Sequence, residues 1–120
     1  ALLDARKGVE MFKKVNVPVL GIVENMSTHI CSSCGHEEAI FGAHGGRQLA
    51  EQYGVDLLGE LPLDISIREN ADAGHPSVVA EPDGNIASAY FDMSRKTAAR
   101  LARQKKDYAS KFPNIKVENS

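Results

Sequence analysis

Several things this chain lacks narrow its function before any motif is read. It has no basic excess: 14 Lys and Arg stand against 16 Asp and Glu in 120 residues, a formal net charge of −2. Nucleic acid, which draws proteins through a positively charged face, is therefore not an expected partner. No stretch approaches the roughly 18 apolar residues of a membrane span, and no charged segment followed by a hydrophobic run opens the chain. These absences lead to an expectation of no membrane contact and a cytoplasmic location. GxSxG, HExxH and GxxxxGK[ST] are all missing, so these residues supply no nucleophile elbow, zincin helix or phosphate-binding loop, and no catalytic residue is assigned.

Cysteine is also scarce. The only two, Cys31 and Cys34, lie close together, and in a reducing compartment such a pair points to metal or redox chemistry rather than a structural staple. What the chain does have is a 42% hydrophobic composition, enough for one ordinary domain with a moderate core. Its opening, ALLDARKGVEMF, begins in mid-helix pattern with no capping residue before Leu2, which leads to the expectation of a piece of a longer protein.

Leu2, Ala5, Val9 and Phe12 recur at helical spacing, so residues 2–14 are expected to form an amphipathic helix ending near Asn16. VPVLGIVEN reads as a strand buried on both faces, residues 26–41 as a loop or knuckle, and GAHGGRQLAEQYG as a helix closed by Gly54. Within that helix entry, close packing on a strand is the expected role of the glycines, ahead of anion binding. VDLLGELP is a second buried strand, and strand, helix, strand in this order implies a parallel α/β unit. SIRENADAG is a short helix closed by Gly74, HPSVVAEPDGN is irregular, and Ile86, Tyr90, Met93, Thr97 and Leu101 space a long C-terminal helix with a fraying tail, PNIKVENS. Two parallel strands cannot cover both their own edges, a second sign of a fragment.

The thiols sit in Cys31-Ser32-Ser33-Cys34-Gly35-His36, where two thiolates could bite one metal and the glycine lets the backbone turn. This is half a site, because zinc or an iron-sulfur cluster wants four ligands. The remainder would come from His29 and His36, from residues elsewhere, or from the same pair in a second subunit. A thioredoxin-like site would start a helix after a strand, and covalent haem would need His directly after the second cysteine, where Gly35 stands. His44 and His75 have no thiol or carboxylate at ligand spacing and read as structural. Asp64, Arg68, Glu69 and Asp72 read as a short-helix face and its cap.

GIVENMS, the run from Cys31 to Gly42, and LLGELPLDISIRENADAGHPSVV together resemble the C-terminal half of the Mrp/ApbC family, iron-sulfur cluster carriers of the MinD/ParA-like P-loop ATPase class. The resemblance runs from about Leu2 to Leu101. It implies the C-terminal part of a doubly wound, mostly parallel α/β fold, residues 1–103 belonging to the ATPase domain and 104–120 to a helix end and flexible tail. The family's phosphate loop, switches and magnesium ligands would precede this segment, so ATP hydrolysis is not expected of this chain alone. By the same resemblance Asn25 contacts adenine, and Pro62, Leu63 and Asp64 form the other side of that ATP pocket.

For the thiols, the resemblance implies that Cys31 and Cys34 of two subunits hold one [4Fe-4S] cluster across a two-fold axis and pass it to apo-proteins, with ATP biasing the homodimer. Two departures are Ser32, where many relatives carry Pro, and His44, where they carry a third glycine. The rival readings are a zinc-binding interaction module using both cysteines with His29 and His36, and a positioning ATPase of the same fold without a metal.

Overall fold

The computed structural model describes residues 1–31, 33–39 and 44–109, with side chains through residue 104. α1 (Leu2–Lys14) carries Asp4 in its first turn and Lys13 and Lys14 in its last, each sign where the helix dipole favours it. Val9 is its buried residue. The chain reverses through Asn16, at φ 58°, and enters β1 (Gly21–Glu24). Next come β2 (Thr28–Ile30) and β3 (Glu37–Ala39), then α2 (Gly45–Tyr53) and β4 (Asp56–Glu60). α3 (Ile65–Asp72), α4 (Ser77–Ala80) and the long α5 (Asn85–Ala109) complete the order.

β1 and β4 pair in parallel, Gly21 opposite Asp56 and Glu24 opposite Glu60, with one irregularity between Ile22 and Val23. This is the strand, helix, strand unit expected from sequence. Because side chains alternate across a strand, the contacts show which helix covers which face. A Cβ on Gly46 of α2 would lie 2.9 Å from the Glu24 carboxylate, and Arg47 of α2 reaches Glu60 at 3.4 Å. Glu24 and Glu60 therefore face α2. Their neighbour Gly59 instead faces α5, where a Cβ would stand 2.9 Å from Met93 Cβ. Helices on both faces of a parallel pair make the doubly wound arrangement.

The core lies along β4 and the inner side of α2: Leu49, Ala50, Leu58 and Leu61 are buried, with Val9 and Ala87 closing its ends. Gly21 is required where the two strands meet, since a Cβ there would come within 2.5 Å of the Asp56 carbonyl oxygen. Gly54 ends α2 in the left-handed region at φ 64°, which glycine enters without steric cost. Asp56 of β4 is tied to α5 by Arg100 and Arg103, at 3.6 and 3.7 Å.

Three expectations are corrected. β1 is not buried on both faces: Val23 is 41% exposed, because α5 lies over β4 rather than over β1. Residues 26–41 are not simply a loop, since β2 and β3 form an antiparallel ribbon pairing Thr28 with Ala39 and Ile30 with Glu37. HPSVVAEPDGN contains a single helical turn, α4, preceded by Pro76 at φ −54°, the value its ring imposes. The tail PNIKVENS lies outside the described residues, as do Gly42 and Ala43 of the expected helix entry.

Candidate functional site

Both strands of the parallel pair run out at the same end of the sheet, and the backbone beyond them stays paired. Leu61 donates its N–H to the Glu24 carbonyl at 2.8 Å and accepts from the Ser27 N–H at 2.8 Å. An unbroken parallel ladder would place one residue between those two bonds; here there are two, Asn25 and Met26. The extra residue is accommodated by Met26 at φ 53°, and the Asn25 side chain turns back to accept the Met26 N–H at 2.9 Å. Beyond this bulge the ladder resumes: Leu63 donates to the Thr28 carbonyl at 2.7 Å, and His29 bridges Leu63 in parallel.

The structure thus brings Asn25 beside Pro62, Leu63 and Asp64, beyond the carboxyl ends of β1 and β4, where open α/β sheets hold ligands. The wall's polar groups are largely committed. Pro62 has no N–H, and the Leu63 N–H is used by Thr28. Asp64 caps α3, its Oδ1 accepting from the Ser66 hydroxyl at 2.6 Å and the Ser66 N–H at 2.9 Å. These two bonds, the hydroxyl first, hold the Asp64 carboxyl below its ordinary pKa, with His29 adding to them and partial burial opposing. With Asn25 Oδ1 accepting from Met26, its amide NH2 is the donor the side chain retains, a group suited to a ring nitrogen or carbonyl. Pro62 is half-buried and Leu63 is exposed, so they offer apolar contact. The four wall residues include no cation, which suits a base and not its phosphates.

The thiols stand at the far end of the ribbon that grows from this wall. Cys31 donates its N–H to the His36 carbonyl at 2.9 Å, and Gly35 donates to the Cys31 carbonyl at 2.8 Å with φ 71°. The turn is tight, and it aims the Ser33 and Cys34 N–H groups at the Cys31 sulfur. Those two amides, Ser33 first, then the Cys34 thiol, lower the Cys31 pKa against a smaller opposing effect of burial. Neither cysteine is in a disulfide; Cys31 is half-buried and Cys34 exposed. The knuckle favours thiolate, the form that ligates metal.

The described residues do not bring together a four-ligand zinc site within one chain. Among the described residues, which include both cysteines, His29 and His36, no three His, Cys, Asp or Glu side chains gather as a metal site. His29 pairs across the ribbon with Glu38 and lies near Asp64, and His36 meets Cys31 through its backbone carbonyl. His44 does not cap α2 with its side chain; it stands at φ 64°, in the region glycine prefers.

Sequence reasoning missed the element that joins the two halves. Ser27, 5% exposed, donates its hydroxyl to Glu60 Oε2 at 3.3 Å, and Glu60 Oε1 receives Arg47 of α2 at 3.4 Å. A lone serine after Met26 carries no periodic signal; its only trace was its position between a strand end and the thiols. Among the described residues, no helix is long and apolar enough to cross a membrane.

Comparison with known proteins came to the same region of fold space. A ParA-type family model described as NUBPL iron-transfer P-loop NTPase matches residues 1–98. The chain is 61% identical over 94 residues to an iron-sulfur cluster carrier protein of Pseudomonas fragi, covering 78% of this chain and 33% of that one. The chain spans about a third of the length of the curated relatives it matches. Among solved structures, an ADP-bound nucleotide-binding protein from Archaeoglobus fulgidus, with cobalt, is similar at TM-score 0.53 and 31% identity, over 68% of this chain and 32% of that one. The cell division ATPase MinD of Pyrococcus furiosus is similar in fold at TM-score 0.61 and 24% identity, over 82% of this chain and 38% of that one.

Proposed function

Because the chain belongs to the ParA-type family of NUBPL iron-transfer P-loop NTPases, we propose that it forms the thiol-bearing, base-contacting part of an iron-sulfur cluster carrier. The observation that carries this reading is the half-site itself: two thiols on a tight turn, with two backbone N–H groups favouring Cys31 thiolate, and no third ligand gathered with them among the described residues. Two copies facing one another would supply four thiolates, the set a [4Fe-4S] cluster takes, and an isologous interface doubles whatever it contains.

The cluster is cargo in this reading. A carrier must release what it holds, and Cys34 is exposed to an incoming acceptor's thiols. The acceptors are apo iron-sulfur proteins, and exchange proceeds by replacement of one thiolate ligand by another. At the root of the ribbon, Asn25 would donate to the adenine of ATP, while Pro62 and Leu63 pack on its ring and Asp64 holds the wall in place through α3. The phosphates and magnesium would be handled by a phosphate loop, which these residues do not contain, so hydrolysis belongs to the longer protein. The cytoplasm, with its reduced thiols, is the compartment in which such a site works.

The test is transfer. Full-length protein, reconstituted anaerobically with iron and sulfide and mixed with an apo iron-sulfur enzyme, is expected to restore that enzyme's activity in the presence of a chelator that captures free iron. Restoration that disappears when the chelator is added would contradict a carrier.

A further inference from the structure

The thiols and the nucleotide wall are parts of one hydrogen-bonded ladder, and that continuity goes beyond the functional reading on which it rests. The ribbon carrying Cys31 and Cys34 begins at Ser27. Its root is fixed at three points: the Ser27 N–H on the Leu61 carbonyl, the Leu63 N–H on the Thr28 carbonyl, and the Ser27 hydroxyl on Glu60. Two of these partners, Leu61 and Leu63, flank Pro62 in the wall. On the other side of the root lies the bulge at Asn25 and Met26, where Met26 holds a positive φ without being glycine. A base settling on Asn25 and Pro62 therefore presses on both sides of one joint.

Ser27 stands at the centre of this joint, bonded to both residues that precede Pro62. It is buried, its backbone belongs to the ladder, and its side chain belongs to the chain of polar contacts from Glu60 to Arg47 on α2. The Ser27 hydroxyl is the one contact in this joint made by a side chain that can be removed without touching the wall or the thiols. We propose that Ser27 is a positioning residue that couples occupation of the nucleotide wall to the setting of the thiol ribbon, through its hydroxyl on Glu60 and its amide on Leu61. The consequence is regulatory. Bound nucleotide and bound cluster each favour one arrangement of the same joint, so by linkage each alters the affinity for the other.

Thiol reactivity reads the setting of the ribbon without any cluster. In apo, reduced full-length protein, the rate at which iodoacetamide alkylates Cys31 and Cys34 is expected to change by about fivefold or more when ADP is added at saturation. In Ser27→Ala that ratio should fall towards unity, with ADP affinity and the rate without ADP each changed by less than about twofold, well below a typical coupling factor. Ser27→Thr, which restores the hydroxyl, should recover the ratio, and Glu60→Ala should lose it as Ser27→Ala does. Ser27→Ala binding ADP and keeping the full ratio would overturn the proposal, as would unchanged reactivity in wild-type protein that binds ADP. Failure of the wild-type protein to bind ADP at all would overturn the nucleotide-wall reading together with the coupling, which separates the two.

Discussion

Asp64 shows how little of a side chain's chemistry is free once its local bonds are counted. Its carboxylate caps α3 through Ser66, and an N-cap of this kind contributes about 1 kcal/mol. Because the Ser66 bonds lower its pKa in the folded state, the ionised cap stabilises the fold at every pH above the unfolded carboxylate value of about 3.9. That contribution is lost as pH falls through the lower folded value. Asp64→Ala is therefore expected to reduce stability by about 1 kcal/mol at neutral pH, and the gap from wild type should close on strong acidification, as thermal melts at both pH values would show. His44 makes a second residue-scale case. It sits in the left-handed region, which costs a residue with a Cβ roughly 1–2 kcal/mol. His44→Val, adding a branch at the Cβ, is expected to lose about 1 kcal/mol more, while His44→Gly should melt no lower than wild type.

At the scale of elements, the parallel pair is held together by absent side chains as much as by present ones. Gly21→Ala would drive a methyl into the Asp56 carbonyl, and is expected to cost about 1–3 kcal/mol, the usual range for overpacking, measurable as a lower denaturant midpoint with unchanged slope. The helices α1, α2, α3 and α5 were legible in sequence through apolar period or a closing residue such as Asn16, Gly54 or Gly74, and the two parallel strands through short apolar runs. The ribbon was not. β2 and β3 have three residues each, too few for alternation to register, and their support comes from Leu63, more than thirty positions away from Thr28. The strand-end position of Asn25 could be read from sequence, yet the bulge that aims it could not, since Met26 carries none of the glycine signature of a positive φ. Spacing placed two histidines near the thiols, whereas strand pairing, which sequence did not show, sets His29 opposite Glu38 across the ribbon.

For the molecule as a whole, the proposed function rests on two half-sites joined by one ribbon. Under the proposed function, the two thiols make half a ligand set, and the wall at the ribbon's root takes one face of a base. Both make chemical sense when the thiols meet a second copy and the wall meets the remainder of a P-loop fold. The measurement that bears most directly on this is iron and sulfide content, taken together with mass in solution, of full-length protein after anaerobic reconstitution, for wild type and for the double substitution Cys31→Ser and Cys34→Ser. The expected result is a dimer with about four iron and four sulfide per two chains, both lost in the double variant while the fold persists. An unchanged iron content in that variant, or one zinc on a single wild-type chain, would contradict it.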